Sequence, residues 1–459
     1  MKITCAPVLT RKDETQAYSS GFKKDTLAVI GVTAALVSGM VLRLIWPWDI
    51  EYKLDESQYF EIVQTILAGG SWPWLGPPAS IGVPAPAGGE WVLAAIGFLA
   101  GANSPPELAR GIQLLNIAAV CGLGAFAMAA VPAKDREPWL WAMALWALNP
   151  VAIVLERKIW PVSTLPAFTI ILIAAWWCRG RFAGAFGWGL VGSLMGQVHV
   201  AAALFVLSLA LWTAIADRKV VHWVAWLIGT VLGAILLVPW LIEAVAETGH
   251  ALRWRWPNPS FYLRWLTQPF GLGLEYTLGR YHLQEFLRGP DWSGRPIYLI
   301  GLLYGMAALL LLTIATRALL YLRRFGYPPL RVVFLGNDPA ALLIRATLWG
   351  YGGMLTLITA VGWNSHRHYL IVAAPIMALW AAQAVMFCDP KQCRRAAHCL
   401  LSSLCVVQAA LSLGLLAYIH SSKIIYAEYG PTWSFQQLHC RSTMHADHAG
   451  CLRSLLGKN

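Results

Sequence analysis

Residues 54–70 read LDESQYFEIVQTILAGG, and their meaning depends on what stands in front of them. Residues 26–47 form the first strongly apolar run of the chain. The acidic pair Asp55 and Glu56 therefore follows a membrane span by only a few residues. Beyond the pair, Tyr59, Val63 and Ile66 recur at helical spacing, with Phe60, Ile62 and Leu67 beside them, and Gly69 and Gly70 end the pattern. This predicts a short amphipathic helix lying in the interface plane. A span followed at once by an interfacial helix places the acidic pair near a membrane surface, and the rest of the chain reads as an all-α polytopic membrane protein.

The composition agrees. The chain is 58% hydrophobic and 13% charged, against about 25% charged in soluble domains. Apolar runs near the length of a bilayer crossing fall at 26–47, 110–131, 139–155, 162–178, 184–199, 200–215, 221–245, 297–320, 341–362, 369–388 and 397–419. They predict about 11 transmembrane helices. The 24 Trp residues fit this class, because Trp favours the membrane–water interface. The net charge of +12 is spread over short loops rather than one stripe. It therefore reads as topology control and attraction to anionic lipid, not as a nucleic-acid surface.

Basic residues mark alternate loops: Lys134/Arg136, Arg179/Arg181, Arg218/Lys219, Arg317/Arg323/Arg324/Arg331 and Lys391/Arg394/Arg395. Placing these loops in the cytoplasm puts residues 1–25 there as well. The first apolar run has no small-residue cleavage site and reads as a retained span. Residues 26–420 then form the transmembrane domain, with outer loops at about 48–109 and 246–296, and the 421–459 tail lies outside. Glu90–Ala100 is too short to span and would break this parity, so it reads as a helix on the outer face. Residues 70–89, rich in Gly and Pro, read as irregular backbone. Cys440 and Cys451 in the tail are candidates for a disulfide, whereas Cys388, Cys393 and Cys399 read as incidental.

Asp55 has two readings. It is either the N-cap of the helix, with Gln58 completing a capping box, or a general base at the membrane surface. Glu56 either favours the positive helix end or assists Asp55. Arg110, Arg157, Lys158 and Arg367 fall at outer span ends, where cations either snorkel to headgroups or bind a phosphate. Glu156 either pairs with Arg157 or Lys158, or joins the acidic pair around a Mg²⁺ or Mn²⁺ ion, with His366 and His368 as further ligands. His199, beside Gln197 at a span end, either hydrogen-bonds a neighbouring helix or meets a substrate. The loop stretch RWRWPNPSFYLRW, residues 253–265, suits either a surface helix in the headgroups or a sugar-phosphate site.

LDESQYFEIVQTILAGGSW resembles the first periplasmic loop of GT-C glycosyltransferases, in the branch of the protein O-mannosyltransferases and aminoarabinose transferases. ELARGIQLLNIAAV, LNPVAIVLERKIWPVSTL, HRHYLIVAAPIMALWAA and YGPTWSFQQ resemble later family segments in the same order, from about 26 to 437. The stretch GVPAPAGGEW lacks the Lys of the aminoarabinose-transferase Glu-Lys-Pro segment, and the chain lacks the large luminal domain of eukaryotic O-mannosyltransferases. The resemblance implies a polyprenyl-phosphate sugar donor, an acceptor hydroxyl on a protein, lipid or glycan, and a place in a bacterial inner membrane. It implies Asp55 as general base, Glu56 beside it, and Arg110, Arg157, Lys158 and Arg367 as phosphate ligands. A lipid or solute transporter is the competing class; its charges would gather near the midplane. A non-catalytic factor for envelope polysaccharide assembly is the third, and it would not need the acidic pair.

Overall fold

A computed structural model describes residues 26–78, 84–246, 254–326, 338–386 and 394–442. Helix α1 (Thr26–Leu44) is an apolar helix with Arg43 in its last turn, where a cation complements the negative helix end. An extended segment leads to α2 (Leu54–Leu67), whose exit is turned by Gly69 at φ 85°. The Gly/Pro-rich stretch that follows is a two-stranded hairpin, β1 (Leu75–Pro78) with β2 (Pro84–Pro86), rather than wholly irregular backbone. Helix α3 (Gly88–Ala100) has 13 residues.

Helix α4 (Pro105–Ala130) starts with prolines, which lack the N–H that a helix start leaves unsatisfied. The run expected as one span at 139–155 divides into α5 (Glu137–Leu148) and α6 (Pro150–Leu155). Pro150 cannot continue the ladder, and the Asn149 side chain accepts from the backbone N–H of Val151 and Ala152 at 3.1 and 3.0 Å. Helices α7 (Leu165–Trp177), α8 (Phe182–Val198), α9 (Val200–Ala216), α10 (Trp223–Ala234) and α11 (Val238–Ala246) run back and forth. Short helices α12 (Ser260–Thr267) and α13 (Glu275–Arg288) precede the long α14 (Leu299–Phe325). Then come α15 (Pro339–Arg345), α16 (Gly352–Ala360), α17 (Ala374–Met386) and α18 (Arg394–Ser422). The chain ends in a small hairpin, Ile424–Ile425 with Gly430–Pro431, and α19 (Trp433–Ser442).

Six described segments are long and apolar enough to cross a membrane alone: Pro105–Ala130, Trp223–Ile242, Leu299–Leu320, Pro339–Ala360, Arg367–Met386 and Arg394–Ser422. The runs expected at 162–178, 184–199 and 200–215 are helices of 17 residues or fewer. His199, extended at φ −164°, separates the last two.

Close packing holds the bundle. A Cβ on Gly189 would collide with the Trp226 carbonyl oxygen, and one on Gly229 with that of Phe186. These two glycines let α8 and α10 touch backbone to backbone, as small residues do between helices in lipid. The tryptophans do not serve one purpose. Trp139, Trp141, Trp146, Trp176, Trp188 and Trp265 are fully buried, whereas Trp254 and Trp256 are 80% and 95% exposed.

Charged side chains and backbone pairings tie the loops together at each end of the bundle. At one end Arg179 pairs with Asp217 through Nε at 2.9 Å, and Glu137 contacts Arg394 and His398. Loops read as lying on one side of the membrane are thus joined there. At the other end residues 48–52 pair with the tail: Tyr52 N–H donates to Pro431 at 3.1 Å, Trp433 N–H to Ile50 at 2.9 Å and Ser434 N–H to Trp48 at 3.0 Å. Cys451 lies outside the described residues, as do Cys388, Cys393 and the side chain of Cys440.

Candidate active site

The tail pairing decides how the first loop meets α2. Glu51 bridges Thr432 across the two strands, so Asp49, Glu51 and Lys53 alternate with Ile50 and Tyr52 along an extended backbone. Lys53, not Asp55, takes the N-cap position of α2. The Glu56 carboxylate closes the reciprocal bond, accepting from the Lys53 N–H at 3.0 Å. Asp55 and Gln58 therefore do not form the expected capping box. Glu56 is 2% exposed; burial, then the nearby Glu51 carboxylate, push its carboxyl up to about 7. Asp55 is exposed, and no described residue bonds its carboxylate.

The three consecutive charges Glu156, Arg157 and Lys158 go three ways. Glu156 accepts from Arg43 Nε at 2.8 Å and from Trp146 Nε1 at 2.8 Å, so its partner is neither neighbour. Arg157 donates to the backbone carbonyls of Leu42, Ile45 and Trp46 at 3.0, 2.8 and 2.9 Å and so caps the end of α1. Lys158 contacts the buried Glu51 carboxylate and lies 5.2 Å from the Trp160 ring centre.

A cavity opens at this end, lined by Glu51, Lys158, Trp160, Tyr276, Arg367, His368, Glu428 and Tyr429 above an apolar floor. Arg367 is 3% exposed. It donates to the carbonyl of Gly273 and, at 3.4 Å, to that of Leu272, and its guanidinium carbon lies 5.7 Å from the Tyr276 ring centre. Gly273 sits at φ 91°, in the left-handed region glycine favours. Tyr276 hydrogen-bonds Glu428; burial and that carboxylate push its hydroxyl up to about 12.

A ring cluster forms the cavity's neighbour. His368 packs 4.4 Å from Trp160, 4.8 Å from Tyr369, 5.3 Å from His366 and 5.6 Å from His199, centre to centre. His199 Nδ1 accepts from the Ala201 N–H at 3.1 Å and caps α9. Burial lowers the basicity of His366.

The structure thus brings Lys158, Arg367 and His368 into one cavity, with His199 and His366 against it. It places Glu156 and Arg157 behind, against α1, and Arg110 half-buried on α4 outside the lining. Trp254 and Trp256 point outward, and Arg264 donates to Ser365 at 3.1 Å. Reasoning from sequence missed Glu51, Lys53, Tyr276 and Glu428. The alternation Asp49-Ile50-Glu51-Tyr52-Lys53 carried a signal for the first two, since period two aims charges to one side of a strand.

Of the carboxylates expected around a divalent ion, Asp55 is exposed and unbonded, whereas Glu56 and Glu156 already have partners. Glu51 is taken by two ammonium groups, Glu156 by Arg43 and Trp146, and Glu56 by a backbone N–H. Among the described residues no group of three or more His, Cys, Asp or Glu side chains is placed to hold one.

The fold and site define a helical integral membrane protein with a mixed-charge cavity at one end of its bundle. No protein-family model matches the chain, and no curated protein matches it. Among solved structures it is similar to ArnT from Cupriavidus metallidurans bound to undecaprenyl phosphate: 14% identity over 86% of this chain and 77% of that one, TM-score 0.48. The apo state of that protein gives 13% identity over 86% and 75%, TM-score 0.49. The apo oligosaccharyltransferase of Archaeoglobus fulgidus gives 15% identity over 95% of this chain but 60% of that one, TM-score 0.47.

Proposed function

We propose that the protein is a membrane glycosyltransferase of GT-C type that moves a sugar from a polyprenyl-phosphate donor to a hydroxyl acceptor on a protein, lipid or glycan. The observation that carries this reading is the meeting of Lys158 and Arg367 in one cavity with the rings of Trp160 and Tyr276. Cationic donors suit a phosphate, and ring faces suit a sugar. The ordered sequence resemblance supports the same reading. The site faces the outside of a bacterial inner membrane, with the N-terminus cytoplasmic and the tail periplasmic.

Asp55 serves as the general base. Its carboxylate is exposed, and no described residue bonds it. It takes the proton of the acceptor hydroxyl as that oxygen attacks the anomeric carbon. The bond from that carbon to the phosphate oxygen breaks, and its electron pair stays on the phosphate. The phosphate thereby gains negative charge, which Lys158 and Arg367 stabilise. Glu56 holds the start of α2, and Arg157 and Glu156 hold the end of α1 beside the site.

A transfer assay tests this. Purified protein receives labelled polyprenyl-phosphate sugars and a membrane extract as acceptor source. Transfer is expected, and Asp55→Asn should lower it by about 10²–10⁴-fold while folding is retained. Full activity in that variant removes Asp55 as the base. No turnover with any donor, together with flux across liposomes, favours a transporter.

A further inference from the structure

Glu51 is 1% exposed, and its two oxygens meet two different ammonium groups. Oε1 lies 2.5 Å from Lys53 Nζ, and Oε2 contacts Lys158 Nζ. Among the described residues these oxygens meet no other donor. Lys53 is further tied to the Glu428 carbonyl, and the Glu51 backbone is pinned by its bridge to Thr432. The carboxylate is thus fixed in place, whereas Lys158 carries its charge on a flexible stem. One carboxylate between two lysines leaves one positive charge in excess, and Arg367 and the Glu428 carboxylate line the same cavity. A buried carboxylate stripped of all partners is strongly disfavoured. Here Lys158 can turn to another anion while Lys53 keeps Glu51 compensated.

The geometry points to Glu51 as an internal counter-ion that holds Lys158 when the site is empty and yields it to the phosphate of the lipid-linked ligand. This rests on the phosphate reading above. In the transfer, the acceptor oxygen bonds the anomeric carbon, the carbon–oxygen bond to phosphate breaks, and the hydroxyl proton goes to Asp55. The donor is a phosphodiester with one negative charge; the product is a monoester with between about 1.5 and 2. The product therefore holds Lys158 more strongly than the donor does. Return of Lys158 to Glu51 opposes that grip and speeds product release. Glu51 is a positioning residue that acts through Lys158.

The test is binding of n-dodecyl phosphate to the purified protein in detergent, with n-dodecanol and inorganic phosphate as comparison ligands. Glu51→Gln should bind n-dodecyl phosphate at least about tenfold tighter than the parent, a change of about 1.4 kcal/mol. Adding Lys158→Met should abolish that gain. Glu51→Asp keeps the charge but shortens the reach to Lys158, so it should fall between, and it serves if Glu51→Gln does not fold. In the transfer assay, inhibition by n-dodecyl phosphate should strengthen in the same order. Equal or weaker binding in both Glu51 variants overturns the inference, as does a gain that survives Lys158→Met. Inorganic phosphate or n-dodecanol binding as well as n-dodecyl phosphate overturns the lipid-phosphate assignment. Tightening without any transfer removes the transferase reading and leaves the counter-ion. Transfer without tightening removes the counter-ion alone.

Discussion

Arg43 and Glu156, separated by 113 residues, form an ion pair in which both side chains are out of water. Arg43 Nε and Nη2 reach the same carboxylate oxygen at 2.8 and 2.6 Å, and Trp146 Nε1 takes the other at 2.8 Å. Arg43 also donates to the Gly39 carbonyl at 3.0 Å and to that of Ala147. The pair thereby fastens the end of α1 to the turn after α6, from which Lys158 enters the cavity.

Breaking this pair from one side strands a buried charge. Glu156→Gln should cost about 3–5 kcal/mol of stability. The double variant Arg43→Met/Glu156→Met removes both charges and should recover most of that loss. Thermal unfolding in detergent checks both; equal losses in the single and double variants would contradict the account.

Gly273 controls how Arg367 presents itself. An added Cβ would lie 2.5 Å from Arg367 Nη2, at a φ of 91°. Gly273→Ala should cost about 1–3 kcal/mol and raise the KM for the donor. Gly289→Ala is the control. Its φ is also positive, at 72°, but a Cβ there comes no nearer than 3.6 Å to Ile300. It should lose stability without a change in KM.

Glu56 predicts a pH dependence of stability. Its carboxyl is raised from 4.5 to about 7 in the folded protein, so between these values the folded state binds more protons than the unfolded state. The stabilisation is complete below about 4.5 and is lost as pH rises toward 7. Glu56→Gln should flatten this part of the profile. Unfolding midpoints measured from pH 4.5 to 8 would reveal a slope that is the same in both proteins if Glu56 is not its source.

Tyr429 links the tail to the first loop, donating its hydroxyl to the Asp49 carbonyl at 2.7 Å. Tyr429→Phe should lower stability by about 1 kcal/mol. Hydrogen exchange should speed up at the Tyr52 and Trp433 amides, which bond across the same junction. Unchanged protection at both amides would separate the hydroxyl from the pairing.

The helical membrane class, the short helix from Leu54 to Leu67 and the polar end of Arg367 were all legible in sequence, because periodicity and run length are local properties. The partners of charged residues were not. Glu156 looks equally able to pair with Arg157, Lys158 or an ion, since a one-dimensional reading sees only neighbours. The Asp55 cap failed for a related reason. The tail strand extends the backbone through Lys53 and shifts the cap position two residues upstream, and nothing near Asp55 announces that contact.

Sequence by itself determined that this chain is helical, lives in a membrane, and places Asp55, Lys158 and Arg367 at the ends of apolar runs. Composition and hydrophobic pattern suffice for that, because lipid leaves few backbone options. Tertiary structure alone decided that Glu51 meets Lys158, that Arg43 meets Glu156, and that Arg157 turns to the end of α1. In a buried, low-dielectric end of a bundle each charge must find its own compensation, and the nearest opposite charge is set by packing across more than a hundred residues of chain rather than by adjacency along it.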